Sequence, residues 1–269
     1  MPDSSTYVLA GVDAGKEWER LDTMHNAVDN YLGHKLTPAP SLGHPRKILE
    51  LGAGSGAWAI QAAKQFPDAE VIAVDISPLP PRPTPVNMKS LQADVAQALP
   101  FEPESFDIVH IRYALIHLPH GTAHIPKLGQ LVAPGGLLLI DDISLPIITG
   151  DAPAVRESFE TLAVYMRSKH QDPRIADTLE AKLRESGLFS DVDAFKVSLP
   201  LNTPIADPAA QRLSRAFKDS ITNVFVGELP AEVRATGFTE ELQKAYRDEV
   251  DVKEWDGIVE AMWTWSRKL

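Results

Sequence analysis

The stretch ILELGAGSGAWA, residues 48–59, constrains this chain most, because three glycines fall within five positions directly after an apolar run. A glycine-rich turn between a first strand and a first helix exposes backbone N–H groups and the positive helix end to a ligand. The spacing of Gly52, Gly54 and Gly56 is GxGxG. The dinucleotide fingerprint GxGxxG requires glycine at position 57, where Ala57 stands, although alanine is sometimes accepted there. The loop therefore predicts a ligand lying against bare backbone without identifying that ligand.

Short apolar runs alternate with helical patterns from about residue 46 to residue 143. Apolar runs bounded by turn residues predict strands, and apolar side chains at steps of three and four predict helices. The predicted strands are 46–51, 70–77, 88–92, 106–112 and 135–143, and the predicted helices between them are 56–66 and 121–132. This alternation favours parallel βαβ units and a sheet covered by helices on both faces.

The flanking segments extend this pattern at both ends. Residues 1–40 are predicted to form an N-terminal arm and a capping helix, and residues 41–269 the main domain. The later elements of that domain are helices at 152–169 and 174–186, an edge strand at 190–201, a lid-like helical insertion at 204–252 and a last strand within 258–269. The predicted fold class is α/β, a doubly wound, mostly parallel sheet.

The composition excludes several classes of function. The 26 basic and 37 acidic side chains give a net charge of −11, which argues against a sequence-independent grip on nucleic acid or anionic membrane. The absence of cysteine excludes disulfides, thiolate metal sites and cysteine nucleophiles. Neither a secretory signal pattern nor an apolar window of ~20 residues is present. The expectation is a cytoplasmic protein, monomeric or homodimeric.

Three carboxylates follow successive predicted strands. Glu50 lies on the first strand, where burial is costly unless it accepts hydrogen bonds from the loop or meets a cationic ligand group. Asp75 closes the second strand, from which a carboxylate can accept hydrogen bonds from both ribose hydroxyls. Asp94 follows the third, where an acceptor can meet an exocyclic amine. These charges would repel a pyrophosphate, so the pattern favours an uncharged or cationic nucleoside.

The chain resembles the class I S-adenosylmethionine-dependent methyltransferases over roughly residues 46–143. The matching segments are ILELGAGSG, VIAVDIS, LQADV, FDIVHIRYALIHL and LVAPGGLLLIDDIS, in the family's order. The resemblance implies S-adenosylmethionine as the cofactor and a seven-stranded sheet of order 3-2-1-4-5-7-6. It also implies the cofactor-binding residues: Glu50, Gly52, Ala53 and Gly54 at the methionine part, Asp75 and Ile76 at the ribose, Asp94 and Val95 at the adenine, and Arg112 at the amino acid end.

More narrowly, the layout is similar to that of small-molecule methyltransferases of fungal secondary metabolism. This similarity implies methyl transfer to a small organic acceptor, with oxygen as the first expectation for the accepting atom. Two alternatives stay open: a cyclase that uses the bound cofactor without methyl transfer, and a regulatory methyltransferase-like protein, since a fold does not fix its chemistry.

His117 is the preferred candidate for a general base. The segment RYALIHL begins at the carboxyl end of the fourth strand, where the pocket of an open α/β sheet lies. Imidazole titrates near neutral pH and can accept a hydroxyl proton. The alternative is that His117 only caps or packs in a short helix.

Asp141 and Asp142 raise the question of a metal site, because adjacent carboxylates at a strand end can bind magnesium. Such a site also needs a carboxylate at the end of the fourth strand, and the chain has Arg112 there. We therefore expect no metal, and Asp142 orients the acceptor or faces solvent.

Aromatic walls with few polar anchors suit a flat acceptor. In the resembling family the acceptor contacts come from the N-terminal helix, the segment after the fourth strand and late insertions. The candidate acceptor-binding residues are accordingly Trp18, His25, Tyr31, Tyr113, Phe217 and Phe225. Phe217 and Phe225 belong to an apolar stripe at helical steps within residues 215–229, together with Ile221 and Val224. The alternative for this stripe is packing in the core.

Overall fold

Eight strands form the central sheet in the part of the chain that the structure, a computed structural model, describes, residues 14–229 and 231–269. The predicted strands up to the fourth lie within two residues of the observed ones. The strands are β1 (Lys47–Leu51), β2 (Glu70–Asp75), β3 (Met88–Gln92), β4 (Phe106–Arg112), β5 (Val132–Ser144), β6 (Ile148–Gly150), β7 (Phe189–Pro200) and β8 (Trp255–Lys268).

The helices cover the sheet and build the late insertion. They are α1 (Ala14–Tyr31), α2 (Ala57–Gln65), α3 (Ile125–Leu131), α4 (Pro153–Ser168), α5 (Ala176–Glu185), α6 (Pro208–Val226), α7 (Ala231–Arg234) and α8 (Glu240–Glu249). Two short 3₁₀ helices, Leu115–His117 and Gly121–His124, precede α3. Within the described residues, no helix is both long and apolar enough to cross a membrane.

The strand order confirms the doubly wound topology. The five strands β3-β2-β1-β4-β5 are parallel, β8 runs antiparallel to β5, and β7 pairs with the other edge of β8. With the short β6 set aside, this is the order that the resemblance implies.

The predicted strand count of seven is wrong by one. Strand β6 has only three residues and pairs with the start of β8, where Ile148 lies opposite Gly257. It continues the line of β5 after the interruption at Pro146, which has no N–H to donate to a ladder. A three-residue run is too short to show strand periodicity.

Apolar side chains fill both faces of the sheet, as a parallel sheet requires. Along β1, Ile48 belongs to one buried cluster and Leu49 and Leu51 to a second, because successive side chains point to opposite faces. Each fully buried side chain of this size contributes about 1.5–3 kcal/mol.

The N-terminal helix and the insertion pack on each other and on the sheet. Helix α1 packs on α6, and α8 packs on α4 and α6. The predicted arm before residue 14 lies outside the described residues, and the division at residue 40 stays a prediction. The carboxyl ends of β1, β2 and β4 lie at the same edge of the sheet, beside α1.

Candidate active site

The glycine loop after β1 has a backbone that only glycine adopts readily. The φ angles of Gly52, Gly54 and Gly56 are +68°, +56° and +74°. A Cβ atom added at Gly52 would lie 2.8 Å from the Cβ of Ala114, and one added at Gly54 would lie 2.9 Å from the Cδ1 of Leu21. The loop is therefore held between the segment after β4 and helix α1.

Glu50 anchors this loop from beneath. Its side chain is buried, and Oε2 accepts a hydrogen bond from the backbone N–H of Ala59 at 3.0 Å. The carboxylate is thus tied to the first turn of α2, where the helix dipole favours negative charge. The donor lies in α2 and not in the glycine loop, so the predicted hydrogen bond from the loop is replaced by one from the helix that follows it.

His110 bridges Glu50 to Asp141 below the loop. Its Nε2 lies 3.3 Å from Asp141 Oδ2, its Nδ1 lies 3.7 Å from Glu50 Oε1, and the imidazole stacks on Trp58 at 3.7 Å. All four side chains are buried, so the cluster joins β1, β4, β5 and α2 under the site.

Asp75 lies at the end of β2, beside the glycine loop. Its carboxylate accepts hydrogen bonds from Gly54 N–H at 2.7 Å and Ser77 N–H at 2.9 Å. Burial raises the pKa of Asp75, and these hydrogen bonds act against that rise. The next side chain, Ile76, is 48% exposed and offers an apolar face at the same rim. Ala53 is buried and joins the loop to β2 through a hydrogen bond to Val74.

Asp94 and Val95 form the corner after β3. Asp94 Oδ1 accepts a hydrogen bond from Ala96 N–H at 2.8 Å, which folds the segment into a tight turn. Val95 is buried, and its carbonyl accepts a hydrogen bond from the Lys127 ammonium at 2.7 Å. The corner is fixed at the position that the resemblance implies for adenine.

Arg112 and His25 join β4 to α1. The Arg112 guanidinium donates to His25 Nδ1 at 2.8 Å. Burial lowers the pKa of His25 to about 3, with a further contribution from the Arg112 charge. His25 is therefore a neutral imidazole that accepts at Nδ1, which leaves a proton on Nε2 for donation.

Tyr113 follows with a φ of +53°, a left-handed conformation that is rare for an aromatic residue. Burial raises its pKa. Its hydroxyl oxygen is buried and has no hydrogen-bond partner among the described residues. Its ring meets Phe217 of α6 edge-on at 5.7 Å. A buried hydroxyl without a partner is costly, so it marks a place where a polar ligand group would be stabilised.

His117 ends the first 3₁₀ helix after β4. Burial lowers its pKa to about 4; the Arg20 charge adds to this effect and the Glu17 charge opposes it. Gln171 donates to the His117 carbonyl at 2.6 Å and fixes the backbone there. The side chain is thus neutral near pH 7 and faces the α1 ion pair Arg20–Glu17.

Asp142 supports this 3₁₀ segment from β5. It is fully buried, and its oxygens accept hydrogen bonds from Ile116 N–H at 3.1 Å and Ile143 N–H at 2.9 Å. Burial raises its pKa to about 7. The alternative that Asp142 faces solvent is wrong, because the side chain has no exposed area. Its predicted contact with the acceptor stays a prediction.

The other aromatic candidates occupy different surroundings. Trp18 is half-buried on α1, and Tyr31 stacks on Trp263 of β8 at 6.1 Å. Phe225 lies inside the insertion and contacts the rings of Phe159, Phe238 and Tyr246 at 4.9–5.3 Å. The structure therefore brings Tyr113 and Phe217 together, but it buries both Phe217 and Phe225 in the core, and their contact with the acceptor stays a prediction.

Three residues at this site carry no strong sequence signal. Leu21 covers Gly54, while Asp22 pairs with Arg82 across 60 positions of the chain. Leu21 is an apolar residue of the predicted N-terminal helix, and the sequence does not show what it contacts. Arg82 is the cation of the proline-rich segment SPLPPRPTP, residues 77–85, and this is the one signal that singles it out.

The residues fit an adenosyl amino acid cofactor. The glycine loop is a cradle that side chains would fill, Asp75 lies where ribose hydroxyls would be accepted, and Ile76 presents an apolar face beside it. Among residues 14–229 and 231–269, no group of three or more His, Asp or Glu side chains is arranged to hold a metal ion.

Comparisons with known proteins agree with this geometry. A family model described as a methyltransferase domain matches residues 24–189. Methyltransferase str3 of Strobilurus tenacellus is 49% identical over 225 residues, which cover 82% of this chain and 80% of that protein. Methyltransferase str2 of the same organism is 41% identical over 253 residues, which cover 93% and 90%.

Solved structures share the fold. Phosphoethanolamine N-methyltransferase 2 of Haemonchus contortus, in complex with phosphomonomethylethanolamine and S-adenosylhomocysteine, aligns with a TM-score of 0.52 at 16% identity. The alignment covers 92% of this chain and 52% of that one, so this chain spans about half the length of that protein.

Proposed function

Because the chain belongs to the S-adenosylmethionine-dependent methyltransferases, we propose that it methylates an oxygen atom of a small organic acceptor, in the cytoplasm. The relatives str3 and str2, both methyltransferases, align with this chain over 80% and 90% of their own length, which supports methyl transfer by this chain.

One observation carries the proposal: the segment Tyr113–His117 lies directly against the glycine loop. The contact of Ala114 with Gly52 places this segment beside the cradle. A buried hydroxyl, a neutral imidazole and an aromatic wall therefore adjoin the place where the cofactor's amino acid end would lie. This is the environment that a flat, partly polar acceptor requires.

When bound, the cofactor supplies a methyl group already activated on a sulfonium, so the protein need not create an electrophile. The chain's own residues align the acceptor and exclude water. His117 takes the proton of the acceptor hydroxyl as the oxygen is methylated; its imidazole is neutral near pH 7, and the burial that lowers its pKa to about 4 makes it a weak base. Arg112 and Tyr113 lie at the end of β4 and orient the polar groups of the bound ligands there.

The test is an incubation of the purified protein with S-adenosylmethionine carrying a deuterated methyl group and a panel of phenols, enols and carboxylic acids. We expect S-adenosylhomocysteine and a labelled O-methyl product in equal amounts. Consumption of an acceptor without S-adenosylhomocysteine would identify a cyclase instead. Label appearing in a protein, and in no small molecule, would favour the regulatory alternative.

A further inference from the structure

Arg82 connects three segments of the chain around the glycine loop. Its guanidinium donates to both carboxylate oxygens of Asp22 on α1, at 3.0 and 3.1 Å. The same group donates to the carbonyl of Ser55 in the glycine loop at 2.6 Å. A two-pronged guanidinium–carboxylate pair fixes orientation as well as distance.

The partner of Arg82 on α1 stands next to the residue that covers the loop. Leu21 lies against Gly54, and Asp22 follows it directly. Pairing Asp22 with Arg82 therefore fixes the turn of α1 that presses on the glycine loop. Both side chains are about one-third exposed, at 28% and 35%, so the pair can be broken and re-formed against water.

The segment that presents Arg82 is unusually stiff. Prolines at 78, 80, 81, 83 and 85 surround it. Each proline fixes φ near −65°, so little backbone freedom is lost when the guanidinium is held in place. The segment begins two residues after Asp75 and returns along the glycine loop.

We infer that Arg82 is a positioning residue for the cofactor: through Asp22 it clamps α1 over the glycine loop and slows release of the cofactor. The inference rests on the proposed function, because it assumes that the cofactor lies on this loop. Breaking the clamp frees α1 to move away from Gly54, and the cofactor then leaves faster.

The test measures the dissociation rate of S-adenosylhomocysteine by stopped-flow intrinsic tryptophan fluorescence, to which Trp18 on α1 contributes as one of five tryptophans. Asp22→Asn and Arg82→Met each remove the charge pair while keeping the side-chain stem. We expect each to raise the dissociation rate about tenfold, and the double variant to be no faster than Arg82→Met, which also loses the hydrogen bond to Ser55. The charge-swapped variant Asp22→Arg with Arg82→Asp should recover part of the slow release.

Arg215→Met is the matched control, because the pair Arg215–Asp219 lies exposed on the single helix α6. It should leave the dissociation rate unchanged. If the wild-type protein binds S-adenosylhomocysteine and both single variants release it at the wild-type rate, the clamp is refuted while the proposed function survives. If the wild-type protein does not bind it, the proposed function itself fails. Thermal unfolding of Asp22→Asn, the isosteric variant, checks that any faster release is not a loss of fold.

Discussion

The two halves of the site are built in different ways. The cofactor half, the loop after β1 with Asp75, uses backbone geometry and contacts across about twenty residues, such as Gly54 to Asp75 at a separation of 21. The acceptor half uses side chains from distant elements, such as Tyr113 after β4 and Phe217 of α6, which are 104 positions apart. The cofactor half therefore tolerates few alternative residues, whereas single substitutions can change the chemistry of the acceptor half.

The largest expected effect is in the cofactor half. Gly54→Val should abolish saturable binding of S-adenosylhomocysteine, a loss of at least about a hundredfold or roughly 3 kcal/mol. The new side chain would fill the backbone approach to the loop and push aside the end of Leu21, and a β-branched residue tolerates the positive φ poorly. Calorimetric titration measures it. Gly43→Val is the control, because Gly43 has a φ of +67° with no atom near its Cβ position. Equal losses in both variants would show that backbone strain alone is responsible.

In the acceptor half, His117→Asn should lower kcat on the order of a hundredfold and leave cofactor binding unchanged, because asparagine cannot accept the proton. Since the pKa of His117 is about 4, kcat of the wild type should not fall on its account between pH 6 and 8. Steady-state kinetics with an acceptor from the labelled-methyl assay measure this. His124→Asn, in the second 3₁₀ helix, is the matched control. An unchanged kcat in His117→Asn would leave this histidine a packing role only.

Asp142 supports the acceptor half and makes the free energy of unfolding depend on pH. Burial raises the pKa of Asp142 from 3.8 to about 7. Between these two pH values the folded state keeps a proton that the unfolded chain has lost. The resulting stabilisation is fully present below about pH 4 and is lost as the pH rises through about 7, by roughly a few kcal/mol. Denaturant titrations from pH 4 to 8 should show this loss in the wild type and a flatter profile in Asp142→Asn. Parallel profiles would contradict the assignment.

The smallest effects separate Phe217 from Phe225. Phe225→Leu should lower the free energy of unfolding by about 1–2 kcal/mol through loss of ring packing, with the acceptor KM unchanged. Phe217→Leu should raise the acceptor KM severalfold, because Phe217 faces Tyr113. If Phe225→Leu raised KM as much as Phe217→Leu does, both rings would contact the acceptor.

The same contrast explains what the sequence could predict. The succession of strands and helices along the chain, the glycine loop and its carboxylates follow from local periodicity and spacing. The order of the strands in the sheet follows from the family resemblance. The short β6 escaped prediction because three residues carry no periodic signal. Leu21, Asp22 and Arg82 escaped it because their contacts depend on how α1 docks. The neutral state of His25 likewise depends on burial, which the sequence does not show.

The surroundings of the acceptor candidates depend on tertiary packing that the sequence does not show. Tyr113 and Phe217 are 104 positions apart and meet at 5.7 Å, and the helical stripe that contains Phe217 also contains Phe225. The periodicity treats the two phenylalanines alike. Both rings are buried in the same core cluster, and the docking of α6 decides only that Phe217, and not Phe225, meets Tyr113.

The most direct test of the account is whether Asp75 accepts hydrogen bonds from the ribose. Calorimetric titrations would compare S-adenosylhomocysteine with its 2′,3′-dideoxy analogue on the wild type and on Asp75→Ala. We expect Asp75→Ala to weaken S-adenosylhomocysteine about tenfold or more, over 1 kcal/mol, and to weaken the dideoxy analogue much less, because that ligand loses only the support that Asp75 gives to Gly54 and Ser77. Unchanged affinity for S-adenosylhomocysteine, or an equal loss for both ligands, would contradict the placement of the cofactor on this loop.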